Sequence, residues 1–267
     1  MLPGVFRAQK KDGTIYFRSS FTFKNKHISL GSYLNELQAS RAYREACLIM
    51  SDCTYTPDSD YHSFCLHFPK IISLLNFRDH GIYMKSPIYL RKHYFQYFLS
   101  PHLDYKFDQE DLFYYSNKSI LKRNGHLCVS DYGMQVSILS RYGIKPYGIK
   151  DRDYIFRNND DTDLRRSNIQ IINHYTGVTL FYSRTGQPQY RAFIHIRGNH
   201  QLGIYETEET AAIAYNKAVD LSKEHGINKN YNINFIDTIS SKDYATIYTN
   251  IHLPDKFLSY LASLLTD

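Results

Sequence analysis

Two runs of alternating residues carry the clearest chemistry in the chain. Arg18, Ser20 and Thr22 stand two residues apart, as do Arg191, Phe193 and His195. In an extended strand that spacing puts each set on one face. A guanidinium donates two parallel hydrogen bonds, which suits a phosphate or the edge of a guanine. The surrounding charge follows the same division. Residues 1–33 carry Arg7, Lys10, Lys11, Arg18, Lys24 and Lys26 against one acid, Asp12, and residues 176–203 carry Arg184, Arg191 and Arg197 with none. Cations gathered on two short stretches are the pattern expected for contact with a polyanion. The formal charge of +6 on 267 residues points the same way more weakly. The cysteines and isolated histidines mark no metal site. Cys47, Cys53, Cys65 and Cys128 form no CxxC pair, and nothing in the spacing of His126 and His174 marks them as ligands. The sequence therefore predicts no metal and no cofactor.

The two arginine strands belong to an internal repeat. Residues 30–46 read LGSYLNELQASRAYREA and residues 202–218 read LGIYETEETAAIAYNKA, with Leu, Gly, Tyr, Glu, Ala, Ala, Tyr and Ala in register. Upstream, Gly4-Val5 matches Gly177-Val178, and Tyr16-Phe17-Arg18 faces Gln189-Tyr190-Arg191, at an offset larger by one residue. Each copy predicts a hairpin, a third strand ending in Leu-Gly and then a helix, a β-β-β-α unit of about 60 residues. Ala39, Ala42, Tyr43 and Ala46 share a helical face, as do Ala211, Ala214, Tyr215 and Ala218. That face is expected to cover the side of the sheet formed by Phe17, Ser19, Phe21 and Phe23, or by Tyr190, Ala192, Ile194 and Ile196. The arginine side stays open.

These residues resemble the Apetala-type, ethylene-response-factor DNA-binding domain, including the forms found in bacterial and phage HNH endonucleases. The likeness runs in each copy from Gly-Val to the Ala-x-x-Ala-Tyr-x-x-Ala helix, and Phe17 or Tyr190 stands where the family has a tryptophan. The resemblance implies a three-stranded sheet entering the major groove of double-stranded DNA. Carried over by position, Arg7, Lys10, Arg18, Ser20 and Thr22 of the first copy, and Arg184, Arg191, Phe193, His195 and Arg197 of the second, would meet it.

Between the copies, residues 125–136 read as a β-hairpin, and residues 156–169 read FRNNDDTDLRRSNI. The latter resembles the HNH-nuclease pattern H-x-N-G-x-x-x-D-N-R-x-x-N-L. Asn158, Asp163, Arg165 and Asn168 match, while Phe156 replaces the leading histidine, Leu164 an asparagine, and Ser137 the earlier histidine. The resemblance implies a nuclease frame without its chemistry, because one histidine activates water and the other helps hold the metal. The expectation is a non-enzymatic, sequence-specific DNA-binding protein, most simply a transcriptional regulator. The alternative is an active HNH homing or restriction-like endonuclease with divergent catalytic residues.

The predicted architecture is α+β, with two small three-stranded antiparallel sheet-plus-helix modules flanking a central mixed α/β, degenerate HNH-like domain. The borders read 1–68, 69–173 (HNH-like from about 120), 174–237 and a helical segment 238–267. Within that segment Phe257, Leu258, Leu261, Leu264 and Leu265 form an apolar stripe, assigned first to the core and second to a homodimer seam. No apolar run reaches the ~18 residues that span a bilayer. The expected location is the cytoplasm, on the nucleoid if the host is bacterial.

Overall fold

Alternating apolar and polar residues build the first sheet of the computed structural model, which describes residues 1–131, 134–145, 147–227 and 229–264. Strands β1 (Val5–Gln9), β2 (Ile15–Phe23) and β3 (Lys26–Tyr33) pair antiparallel in that order. Lys24 and Asn25, at φ 45° and 60°, form the β2–β3 turn, and their left-handed pair matches the twist of a tight hairpin. Val5, Ser19, Phe21, Ile28 and Leu30 are buried on one side. Helix α1 (Glu36–Ser51) lies over them on Ala39, Ala42 and Ala46, all fully enclosed. Asn35 starts the helix by accepting a 2.8 Å bond from the Gln38 N–H.

This core continues past the helix. In α2 (Phe68–His80), Ile71, Ile72, Leu74, Leu75 and Phe77 join the cluster that holds Phe21, Ile28 and Ile49. Two polar ties fasten the connection. The buried Glu45 carboxylate accepts from the N–H groups of Cys65 and Leu66 within 3.0 Å. Arg78 donates to the carbonyls of Ile49, Asp52 and Tyr55 at 2.7–2.9 Å, tying the last turn of α1 and the loop after it to α2. Strands β4 (Ile88–Leu90), β5 (Tyr94–Ser100) and β6 (Leu103–Asp108) form a second antiparallel sheet. A 3-10 turn at 109–111 leads to α3 (Leu112–Tyr115), whose Tyr115 ring packs 4.4 Å from that of Phe107. The expected hairpin follows as β8 (His126–Asp131) and β9 (Met134–Ser137), joined by β7 (Ile120–Arg123). Its tip, Tyr132 and Gly133, lies outside the described residues. Residues 1–138 and 158–168 make one compact unit.

The second unit comprises residues 139–157 and 169–267. It contains the ribbon of β10 (Tyr154–Phe156) and β11 (Ile169–Ile171), and a sheet of β12 (Val178–Tyr182), β13 (Pro188–His195) and β14 (Asn199–Tyr205). Helix α4 (Glu208–Glu224) sets Ala211, Ala214, Tyr215 and Ala218 against Val178, Ala192, Ile194 and Leu202. Two more helices follow, α5 (Ser241–Asn250) and α6 (Asp255–Ser263), and Ile251, Leu253, Phe257 and Leu261 complete the same core. Lys217 donates to the carbonyls of Tyr248 and Ile251 at 2.7 and 2.8 Å, pinning the end of α5 to α4. Of the C-terminal stripe, Phe257 and Leu261 are enclosed and Leu264 packs against them, while Leu258 is exposed and Leu265 lies outside the described residues. A seam with a second copy would thus lack its two central members. Packing runs across the borders drawn from the repeat at 68/69 and 237/238. The architecture is α+β, with antiparallel sheets throughout.

The duplication extends to single hydrogen bonds. Four residues (23–26) separate Thr22 from its partner His27, and three (196–198) separate His195 from Asn199, so the extra residue of copy one sits in that turn. In both third strands a leucine bulges out of register. Leu30 lies between Ser29 and Gly31, whose partners Ser20 and Ser19 are adjacent, and Leu202 lies likewise between Gln201 and Gly203. The Tyr33 hydroxyl then donates to the Leu30 carbonyl and the Tyr205 hydroxyl to that of Leu202, both at 3.1 Å. Burial, with Glu45 nearby, pushes the Tyr33 hydroxyl up to about 12, which keeps it a donor. Leu-Gly-x-Tyr is therefore a bulge locked by its own tyrosine.

Gly-Val has an equally local cause. Gly4 and Gly177, at φ 71° and 72°, lie against the rings of Tyr43 and Tyr215. A methyl group on residue 177 would come within 2.3 Å of the Tyr215 ring and 2.4 Å of the Phe193 carbonyl. Left-handed strain and overpacking together give Gly177→Ala an expected loss of about 2–5 kcal/mol. A urea midpoint equal to wild type would show that the strand and helix can separate here without cost.

Candidate nucleic-acid interface

Strand register decides which side chains share the uncovered faces, since residues directly opposite in an antiparallel pair point the same way. On the first sheet Arg18 lies between Phe6 and Ser32, Ser20 opposite Ser29, and Thr22 opposite His27. None of these is under α1. Arg18 and Thr22 are exposed, Ser20 is half-buried, and Phe6 is 54% exposed. A groove of about 360 Å³ runs over this face, lined by Phe6, Arg18, Ser20, His27 and Ser29. On the second sheet Arg191 lies between Thr179 and Ile204, Phe193 opposite Gln201, and His195 opposite Asn199.

Arg7 departs from its expected place. It pairs with Phe17, two residues from buried Val5, and so belongs to the helix side of the sheet. Its charge is exposed at the edge strand but does not join Arg18 on the open face. Lys10 and Arg184 occupy equivalent exposed turns, between β1 and β2 and between β12 and β13. Arg197, at φ 53°, tips the β13–β14 turn. Phe6, His27 and Ile204 were not singled out from sequence, although Phe6 alternates with inward Val5 and His27 sits across the Lys24-Asn25 turn from Thr22.

The two arginines are held differently. Arg18 makes no ion pair or side-chain hydrogen bond among the described residues. The Arg191 guanidinium lies 4.4 Å over the Phe181 ring and 5.9 Å from that of Phe193, and its buried Nε has no hydrogen-bond partner. Stacking orders this side chain before any partner arrives. His195 is fixed by a 2.9 Å contact between its Nδ1 and the Asn199 Oδ1. Beside Phe193 and Asn199 opens a cavity of about 300 Å³ that also takes in Thr179 and Lys145. Burial lowers the Lys145 ammonium to about 8, partly countered by Glu208 and Asp153.

The HNH-like residues form a closed hydrogen-bonded loop. Asp163 accepts from Arg165 at 2.6 and 2.8 Å and from Asn158 at 3.1 Å. Asn168 accepts from the Asn158 N–H at 2.9 Å and donates to the Asp160 and Asp163 carbonyls. Burial raises the Asp163 carboxyl, but these donors outweigh it and hold it below the usual range. Asp160 falls to about 2 under its Thr162 hydroxyl bond and the Lys106 ammonium at 2.9 Å. Phe156 is buried edge-on to Tyr154, Leu164 is enclosed, and Ser137 pairs with Cys128. His126 is exposed opposite Arg123. His174 is tied to Glu208 in the first turn of α4, through its N–H at 2.5 Å and its Nδ1 at 2.9 Å. The equivalent Leu2 N–H bonds Glu36 at 2.6 Å, so this contact belongs to the module's construction. Among the described residues no three His, Cys, Asp or Glu side chains gather as metal ligands, and no helix is long and apolar enough to cross a membrane.

Comparison with protein-family models, curated proteins and solved structures gives no match.

Proposed function

We propose that the protein is a sequence-specific double-stranded DNA-binding protein, a transcriptional regulator acting on the cell's DNA, that lays its two sheets into the major groove. One observation carries this reading. Two copies of a sheet each carry a helix on one side, and each sets an arginine at the same point of the other side, exposed at Arg18 and half-buried at Arg191. Arg18 and Arg191 supply the paired donors that a guanine edge or a phosphate accepts. Ser20, Thr22, Phe193 and His195 extend those surfaces, with Lys10, Arg184 and Arg197 at the turns for phosphates.

The central HNH-like segment is proposed to be catalytically silent. Phe156 and Ser137 offer no imidazole to activate water, and the Asp163 carboxylate is already engaged by Arg165 and Asn158. Full-length protein incubated with bound duplex and Mg²⁺ or Mn²⁺ is expected to leave the DNA intact while retarding it on a gel. Nicking by pure protein that His126→Ala or His174→Ala abolishes would make it a nuclease instead. Failure to retard any duplex would remove the binding proposal.

A further inference from the structure

Next to the open face of the first sheet lies a cationic groove that runs from β3 of the module to residues beyond the repeat. It encloses about 780 Å³, is walled by Lys26, Lys70 and Lys85, and no carboxylate lines it. The Lys26 and Lys70 ammonium groups stand 5.3 and 5.4 Å from the centre of one ring, that of Tyr83. Lys70 also donates to the Tyr83 hydroxyl at 2.7 Å. Two like charges thus stand beside one tyrosine, and among the described residues none of the three lysines has an ion-pair partner. An arrangement that repels itself when empty is relieved by a multivalent anion.

Continuity identifies the anion. His27 and Ser29 line both this groove and the one over Arg18, so a ligand lying on the sheet runs directly into the lysines. We propose that the groove takes the phosphate backbone of the duplex beyond the segment that the first sheet reads. This inference rests on the DNA-binding reading. The deoxyribose faces between phosphates would meet Ile82 and Phe113, which are 51% and 85% exposed. The track is independent of base identity, so it adds affinity and salt dependence without adding to the read sequence.

The test compares wild type with the Lys26→Gln/Lys70→Gln/Lys85→Gln variant on a selected duplex, either just covering the read segment or extended by ten base pairs on each side. Each phosphate neutralised adds about 0.9 to the slope of log affinity against log salt, so the variant's slope on the long duplex should be lower by about 2.7. Between 50 and 200 mM salt, wild type should therefore lose roughly 40-fold more affinity than the variant. On the short duplex the two should agree in affinity, with circular dichroism showing the variant folded. An unchanged slope on the long duplex overturns the proposal, as does an equal loss on both duplexes. So does a wild-type preference for single strands of the same length. If wild type binds the short duplex, any of these results defeats the groove alone. If it binds no duplex, the parent reading has failed.

Discussion

A chain ending at residue 237 is expected to lose the folded state of its second β-β-β-α module, although every strand and helix of the repeat is still present. Four residues beyond that point, Ile251, Leu253, Phe257 and Leu261, belong to the cluster formed by α4 and its sheet. Burying each contributes about 1.5–3 kcal/mol, so their loss removes roughly 6–12 kcal/mol. That matches the whole stability of a typical domain, about 5–15 kcal/mol. The truncation also frees the Lys217 ammonium from the carbonyls that it caps. Hydrogen exchange would check this. Amides of Ala211 to Val219, protected in the full chain, should exchange at unfolded rates in the truncated one. Retained protection would mean that the repeat is self-sufficient and that α6 merely leans on it.

Arg18→Ala and Arg191→Ala should both weaken binding to a selected duplex, yet they should part company in stability. Each removes a paired donor from the sheet face, costing about 1–3 kcal/mol, or roughly 5- to 150-fold in affinity. Among the described residues Arg18 makes no ion pair, side-chain hydrogen bond or ring contact, so its loss should leave the melting temperature nearly unchanged. Arg191 spreads over Phe181, and deleting that contact should also lower stability by about 0.5–1 kcal/mol. Arg191→Lys should recover part of the stability and little of the binding, because an ammonium cannot make the flat paired contact. The double alanine variant should fall further than either single one, since two tethered modules reinforce each other only while both engage. Wild-type affinity in one variant would remove that sheet from the interface.

The repeat made much of each module legible in advance. Spacing alone separated Arg18 from Phe17 and Arg191 from Tyr190, and it put alanines where helix meets sheet. Misplacing Arg7 came from reading charge without parity, since Val5 and Arg7 are two apart and must share a side. What sequence hid was the third dimension of the motifs. Leu-Gly-x-Tyr reads as a repeated string, but only the strand register exposes the bulge and the tyrosine bond that closes it. The C-terminal stripe was visible as apolar, but which surface it covered depends on the placement of α6 beside β14, which local pattern does not encode. The lysine groove draws on residues 26, 70 and 85, too far apart in sequence to signal one another.

The central claim is that two open sheet faces read duplex DNA, and selection from a random duplex pool tests it most directly. The full chain should enrich a bipartite sequence with two short separated motifs. Arg18→Ala should degrade one motif and Arg191→Ala the other, and the folded double variant should enrich neither. A pool that emerges unenriched with wild type, or enriches the same sequence with the double variant, would contradict the account.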